Sequence, residues 1–152
     1  MSVFSSIVCC LNLSENPDVL VQYVNNIAKQ NDAKLIFVQV APARSSALNR
    51  SAINVDSIIS ENVEKANAAF AEYVNKNVEG EAVLVFAEGD TDKELLKVVD
   101  KYCADLIIVG SMSTKGFMGG WFSNPSDSII GKTRVPVMVI PNDISLECTP
   151  DF

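Results

Sequence analysis

The chain reads as an α/β protein built around one parallel sheet. Apolar runs of strand length alternate with amphipathic helical patterns from one end to the other, and Gly, Pro or Asx residues punctuate the ends of the elements. The strand runs are also almost wholly apolar, the pattern of strands covered on both faces, and strands separated by helices pair in parallel. At 152 residues the chain fits one domain with one core, residues 1–143, followed by a tail, residues 144–152.

The first strand is the apolar run Ile7-Val8-Cys9-Cys10-Leu11. Asn16 as N-cap and Pro17 at the first helical position then open a helix whose Leu20, Tyr23, Val24 and Ile27 share one stripe. Lys34 to Val40 is the second strand, and it ends at Ala41-Pro42 because proline cannot continue a ladder. The mostly small and polar residues 43–56 form a crossover. A long helix begins at Ser57, with Ile59, Val63, Ala66, Phe70 and Val74 recurring at spacings of three and four, and residues 77–81 close it. Ala82 to Phe86 is the third strand, Gly89-Asp90-Thr91 a turn and cap, and Leu95, Val99 and Tyr102 the stripe of a third helix. Leu106 to Val109 makes strand four. A Gly-rich loop, a short helix over 126–132 and a fifth strand, Val137 to Ile140, complete the pattern.

Composition removes several function classes. Twelve basic against nineteen acidic residues give a formal charge of −7, which opposes binding to nucleic acid. The start lacks a basic leader region and no apolar run approaches the ~18 residues of a membrane span, so a cytoplasmic location is expected. There is no histidine, which removes the usual general base and the Ser-His and Cys-His nucleophile pairs. The four cysteines form no Cys-x-x-Cys pair. Cys9 and Cys10 are strand neighbours pointing to opposite faces, unable to share a metal ion, and Cys9 and Cys103 are expected as small buried hydrophobes. The acidic cluster Asp90, Asp92 and Glu94 lacks the alternating ligands of a calcium loop and reads as a helix start.

The most informative stretch runs from Asp105 to Pro141. The strand Leu106-Ile107-Ile108-Val109 opens into Gly110-Ser111-Met112-Ser113, a Gly-rich loop and the run Ser123-Asn124-Pro125-Ser126-Asp127. A loop between a buried strand's carboxyl end and a helix N-terminus is where α/β proteins hold phosphates. Together with Ala104-Asp105-Leu106, Val135 to Pro141, Gly89 to Leu96 and Ile7 to Ser14, this stretch resembles the universal stress protein family over nearly the whole chain. The family's loop pattern is Gly, two residues, Gly, nine residues, Gly, then Ser or Thr. Gly110 matches the first position, whereas Ser113, Ser123 and Asn124 replace the other three.

The resemblance implies a sheet of order 3-2-1-4-5 and a homodimer formed by pairing the strand Val137, Met138, Val139 and Ile140. It also implies a nucleotide pocket at Cys10, Leu11 and Asn12, at Val40, and at Val109, Gly110, Ser113, Ser123, Asn124 and Pro125. ATP or AMP is the implied ligand, with Mg²⁺ accompanying ATP. Asn12 stands where nucleotide-binding members carry Asp, and a Cβ at Ser113 and Ser123 obstructs positive φ and the approach of phosphate, at roughly 1–2 kcal/mol each in a left-handed conformation. Asn124, Pro125 and Asp127 equally serve as N-cap, N1 and N3 of a helix that needs no ligand. Phe117, Met118, Trp121 and Phe122 between glycines suit either a pocket cover or a protein surface. The expected function is a non-catalytic dimeric stress-response or regulatory role with weak or absent ATP binding. The alternatives are an ATP-binding, slowly hydrolysing protein and a pure protein-interaction module.

Overall fold

A computed structural model describes residues 2–13, 17–41, 55–110 and 129–141. Its strands are β1 (Ser6–Cys10), β2 (Lys34–Ala41), β3 (Ala82–Glu88), β4 (Leu106–Gly110) and β5 (Val137–Ile140). The helices are α1 (Pro17–Asn31), α2 (Val55–Asn77), α3 (Thr91–Lys101) and α4 (Ile129–Lys132). Among the described residues every pairing is parallel, and the order is β3-β2-β1-β4-β5, so the chain switches direction across the sheet between β1 and β4.

Alternation along the central strands divides the core into two layers. Ile7, Cys9, Leu11, Leu35 and Phe37 face Leu20 and Val24 of α1 and Phe70 and Val74 of α2. Val8, Cys10, Ile36, Val38, Ile107 and Val109 face Leu95, Val98 and Val99 of α3 and Ile129 of α4. Cys9 and Cys10 thus point into opposite layers, the arrangement that strand geometry demands. Asp105 ties the entry of β4 to β1: its carboxylate accepts the backbone N–H of Ser5 at 2.8 Å and of Ser6 at 3.1 Å.

Three expectations need correction. The second long helix begins at Val55, two residues before Ser57. β3 is not buried on both faces; it is the sheet's end, and Val83 and Phe86 are 40% and 44% exposed. Cys103 is exposed rather than buried. It lies just beyond α3, after Tyr102, which caps the helix rather than belonging to it, and its φ is +51°. Asp32 after α1 has the same φ of +51°. At both ends the next N–H reaches back over the turn, Ala33 to Ala28 O and Ala104 to Val99 O, each at 2.9 Å. These are helix stops of the kind that usually recruit glycine; here non-glycine residues take the left-handed position, so the sequence does not advertise it. Gly89, by contrast, serves a tight turn with φ +132°, and its N–H donates to Ala41 O at 2.9 Å. Asp90 then caps α3, accepting from the N–H groups of Asp92 and Lys93.

Candidate functional site at the carboxyl ends of the strands

The register brings the expected strand-end residues together. Cys10 is level with Val38 on β2, and Cys9 with Ile108 on β4. One step further on, Leu11 N–H donates to Val38 O at 3.1 Å, so Leu11 and Asn12, Val40, and Val109 and Gly110 end three adjacent strands at one height. Adjacent strands lie about 4.8 Å apart, so the three ends span about 10 Å, the width of a nucleoside. Cys10, Leu11, Val40 and Val109 bury their side chains in the core. What those four present to a ligand is therefore mainly backbone, and the half-buried Asn12 and Gly110 are the positions whose chemistry can vary. Ser113, Ser123, Asn124 and Pro125 lie outside the described residues, as do the loop aromatics.

Gly110 has no positive φ, and a Cβ built on it would meet Leu20 Cδ2 at 3.8 Å, an ordinary contact. Packing among the described residues does not itself require glycine there. The small residue keeps the rim of the crevice low, which is the use a ligand would make of it.

Beside Val40 lies a recess of about 340 Å³, lined by Gln39, Val40, Ala41, Asn62, Val63, Ala66 and Asn67. That volume is at the lower end of the range for small-molecule sites. Its lining is mostly apolar, with three amides and no charged side chain. Gln39 Oε1 is shut away from solvent and finds no hydrogen-bond donor among the described residues. A buried acceptor left so costs roughly 1–3 kcal/mol, and a ligand N–H in the recess meets it only once the amide turns outward. Gln39, Asn62 and Asn67 were not legible in the sequence as site residues. A lone amide in an apolar strand and two on a helix carry no signal until α2 packs over β2.

A larger recess, about 470 Å³, lies at the other end of the sheet, where Val99, Asp100 and Cys103 meet Lys132, Arg134 and Val135. It sits at the amino ends of β4 and β5, away from the switch point where open α/β sheets hold ligands. Among the described residues no three His, Cys, Asp or Glu side chains gather as a metal site. Nor is any described helix long and apolar enough to cross a membrane.

The profile of the universal stress protein family matches residues 4–141. The chain belongs to this family. Among curated proteins no relative matches. Solved structures do. UspA, a universal stress protein from Lactobacillus plantarum, superposes with a TM-score of 0.67 at 14% identity, over 92% of this chain and 99% of that one. A universal stress protein in complex with cAMP gives 0.62 at 13%, over 93% of this chain and 100% of that one. The universal stress protein from Archaeoglobus fulgidus in complex with dAMP gives 0.56 at 16%, over 90% and 98%. At such identities the likeness is one of fold, and it agrees with the five-stranded parallel sheet and its order. Two of these structures were described with adenine nucleotides bound.

Proposed function

We propose that this universal stress protein is a non-catalytic regulatory protein that keeps a place for an adenine base and has lost most of its cradle for phosphates, so that ATP binds weakly or not at all. One observation carries the reading: of four positions in the family's phosphate loop only Gly110 is retained, Ser113, Ser123 and Asn124 having replaced the rest. The base is a different matter. A purine's exocyclic amine is a donor that the Gln39 amide would satisfy by turning its buried oxygen into the recess, and the apolar walls of the recess beside Val40 suit an aromatic ring. The cAMP and dAMP complexes of proteins with this fold support adenine as the base. Asn12, in place of a carboxylate, removes a charged oxygen from the phosphate or ribose side and with it a ligand for Mg²⁺.

Catalysis is not part of the proposal because the chain has no histidine, and no carboxylate is among the described residues lining the recess beside Val40. The family's dimer, formed through Val137, Met138, Val139 and Ile140, is carried over as part of the same reading. β5 ends the sheet, and its first three residues are only partly buried. Light scattering at micromolar concentration is expected to give twice the chain mass; a monomer would remove the dimer from the proposal.

The test is calorimetric titration of ATP and AMP, with Mg²⁺, into the wild type and into a variant carrying Asn12→Asp, Ser113→Gly, Ser123→Gly and Asn124→Ser. Binding that appears or tightens sharply only in the variant is expected. Micromolar binding of ATP by the wild type would mean that the loop uses another geometry, through Thr114, Lys115 and its remaining glycines. Metal-dependent turnover by the wild type, lost in Gly110→Val, would restore the hydrolytic alternative.

A further inference from the structure

The larger recess, at the amino ends of β4 and β5, brings a thiol together with three charges. Against apolar walls that include Val99 stand Asp100, Cys103, Lys132 and Arg134. Cys103 is exposed and its thiol is free. Lys132 and Arg134 flank Thr133, whose hydroxyl accepts Val135 N–H at 3.1 Å and whose own N–H donates to Ile129 O at 2.9 Å, so both cations stand on a tied turn. Among the described residues neither cation, nor the Asp100 carboxylate, is held in an ion pair. Charges on the same elements are engaged elsewhere: Lys97 pairs with Glu94 at 2.9 Å, Lys101 lies over the Tyr102 ring, and Asp105 accepts the N–H groups of Ser5 and Ser6. Lys132 also exerts a weak pull on Asp92.

Two cations and one carboxylate around a thiol select a ligand of the opposite pattern. A volume of about 470 Å³ admits a small peptide. Two carboxylates on such a molecule would meet Lys132 and Arg134, and an ammonium would meet Asp100, where the carboxyl end of α3 adds its own partial negative charge. We propose that this recess seats a mixed disulfide between Cys103 and a small acidic thiol of the glutathione class, which carries two carboxylates and one ammonium. The Cys103 thiolate attacks one sulfur of the corresponding disulfide. A new S–S bond forms as the old one breaks, and the other half departs as a thiolate that takes up the proton Cys103 released. Cys103 is oxidised and the departing half is reduced, so the disulfide itself is the oxidant and a free thiol reverses the step. The recess lies at the end of the sheet opposite Gly110, so this proposal and the nucleotide reading can fail independently.

The probes are glutathione disulfide and cystamine, a disulfide whose halves carry an ammonium and no carboxylate. Rates of adduct formation at Cys103 are followed by peptide mass spectrometry, each divided by the rate of the same reagent with the urea-unfolded chain. With a formal charge of −7 the protein as a whole repels the acidic reagent and attracts the cationic one, so a preference for glutathione disulfide has to come from the recess itself. The folded wild type is expected to favour glutathione disulfide by about tenfold or more, less so at high salt. In Lys132→Gln/Arg134→Gln the order is expected to reverse in favour of cystamine. The circular dichroism spectrum and the rate of labelling of Cys103 by neutral iodoacetamide should stay those of the wild type, showing that fold and thiol are intact. Cystamine reacting as fast as glutathione disulfide with the wild type, a comparison that needs no variant, would overturn the proposal. So would a preference that survives in the double variant, or a glutathione adduct found on Cys148 and not on Cys103.

Discussion

Cys9 and Cys103 show how residue type alone misjudges chemistry. Complete burial pushes the Cys9 thiol well above its ordinary value, with Cys10 beside it adding to the effect, so the nucleophilic thiolate is scarce at neutral pH. Cys103 stands in the open at a helix stop. In the native protein, iodoacetamide is expected to label Cys103 and to leave Cys9 intact until denaturant is added, as peptide mass spectrometry would reveal; labelling of Cys9 at a comparable rate would mean that β1 opens readily. Asp105 is a second instance. It belongs to the sequence match at β4, yet its carboxylate serves two backbone N–H groups at the end of the sheet opposite Gly110. Asp105→Ala should therefore lower the unfolding free energy in urea by about 1–3 kcal/mol. Ligand titration of the folded variant should be unchanged.

At the level of elements, the turn and cap that open α3 were readable because each residue there has a local job. Gly89 takes a positive φ and Asp90 receives the first N–H groups of the helix. Asp92 is less comfortable: burial and, secondarily, the Asp90 charge hold its carboxyl above the usual range, against a weaker opposing pull from Lys132, and one of its oxygens has no hydrogen-bond partner among the described residues. A carboxyl whose folded value exceeds its unfolded one contributes stability at low pH and loses it as pH rises through the folded value. Asp92→Asn is accordingly expected to stabilise the protein at pH 7, by less than about 1 kcal/mol given the group's exposure, with the gain vanishing below about pH 4. Thermal melts across that range would show it; a variant less stable at neutral pH would mean that the charge is favoured by the helix dipole more than it is penalised by burial. The strands were equally legible, since an unbroken apolar run has few alternatives. What could not be read was how far each one is covered. Ala82 to Phe86 looks as apolar as Leu106 to Val109, and only its place at the end of the sheet exposes Val83 and Phe86. In the same way Ala66, on the expected inward stripe of α2, is exposed and lines the recess beside Gln39.

For the whole molecule, alternation of elements dictates a parallel α/β sheet, but the order β3-β2-β1-β4-β5 follows from family resemblance rather than from any residue pattern, and the fold bears it out. That order sets Leu11, Asn12, Val40, Val109 and Gly110 side by side although they are spread over 100 positions of the chain. Half of the candidate site was thus legible as strand ends. The amides at Gln39, Asn62 and Asn67 depend on tertiary packing and were not. The proposed division, a recess at the end of β2 for the base and a loop sequence that keeps one of the family's four phosphate-loop positions, is the central claim, and affinity as a function of phosphate number tests it. Titrated calorimetrically into the wild type with Mg²⁺ present, adenosine, AMP and ATP are predicted to bind within about threefold of one another, with all three weakened by Gln39→Leu. ATP binding about 100-fold or more tighter than adenosine, and unaffected by Gln39→Leu, would contradict the account, because the phosphates would then be supplying the affinity that the altered loop is held to have lost.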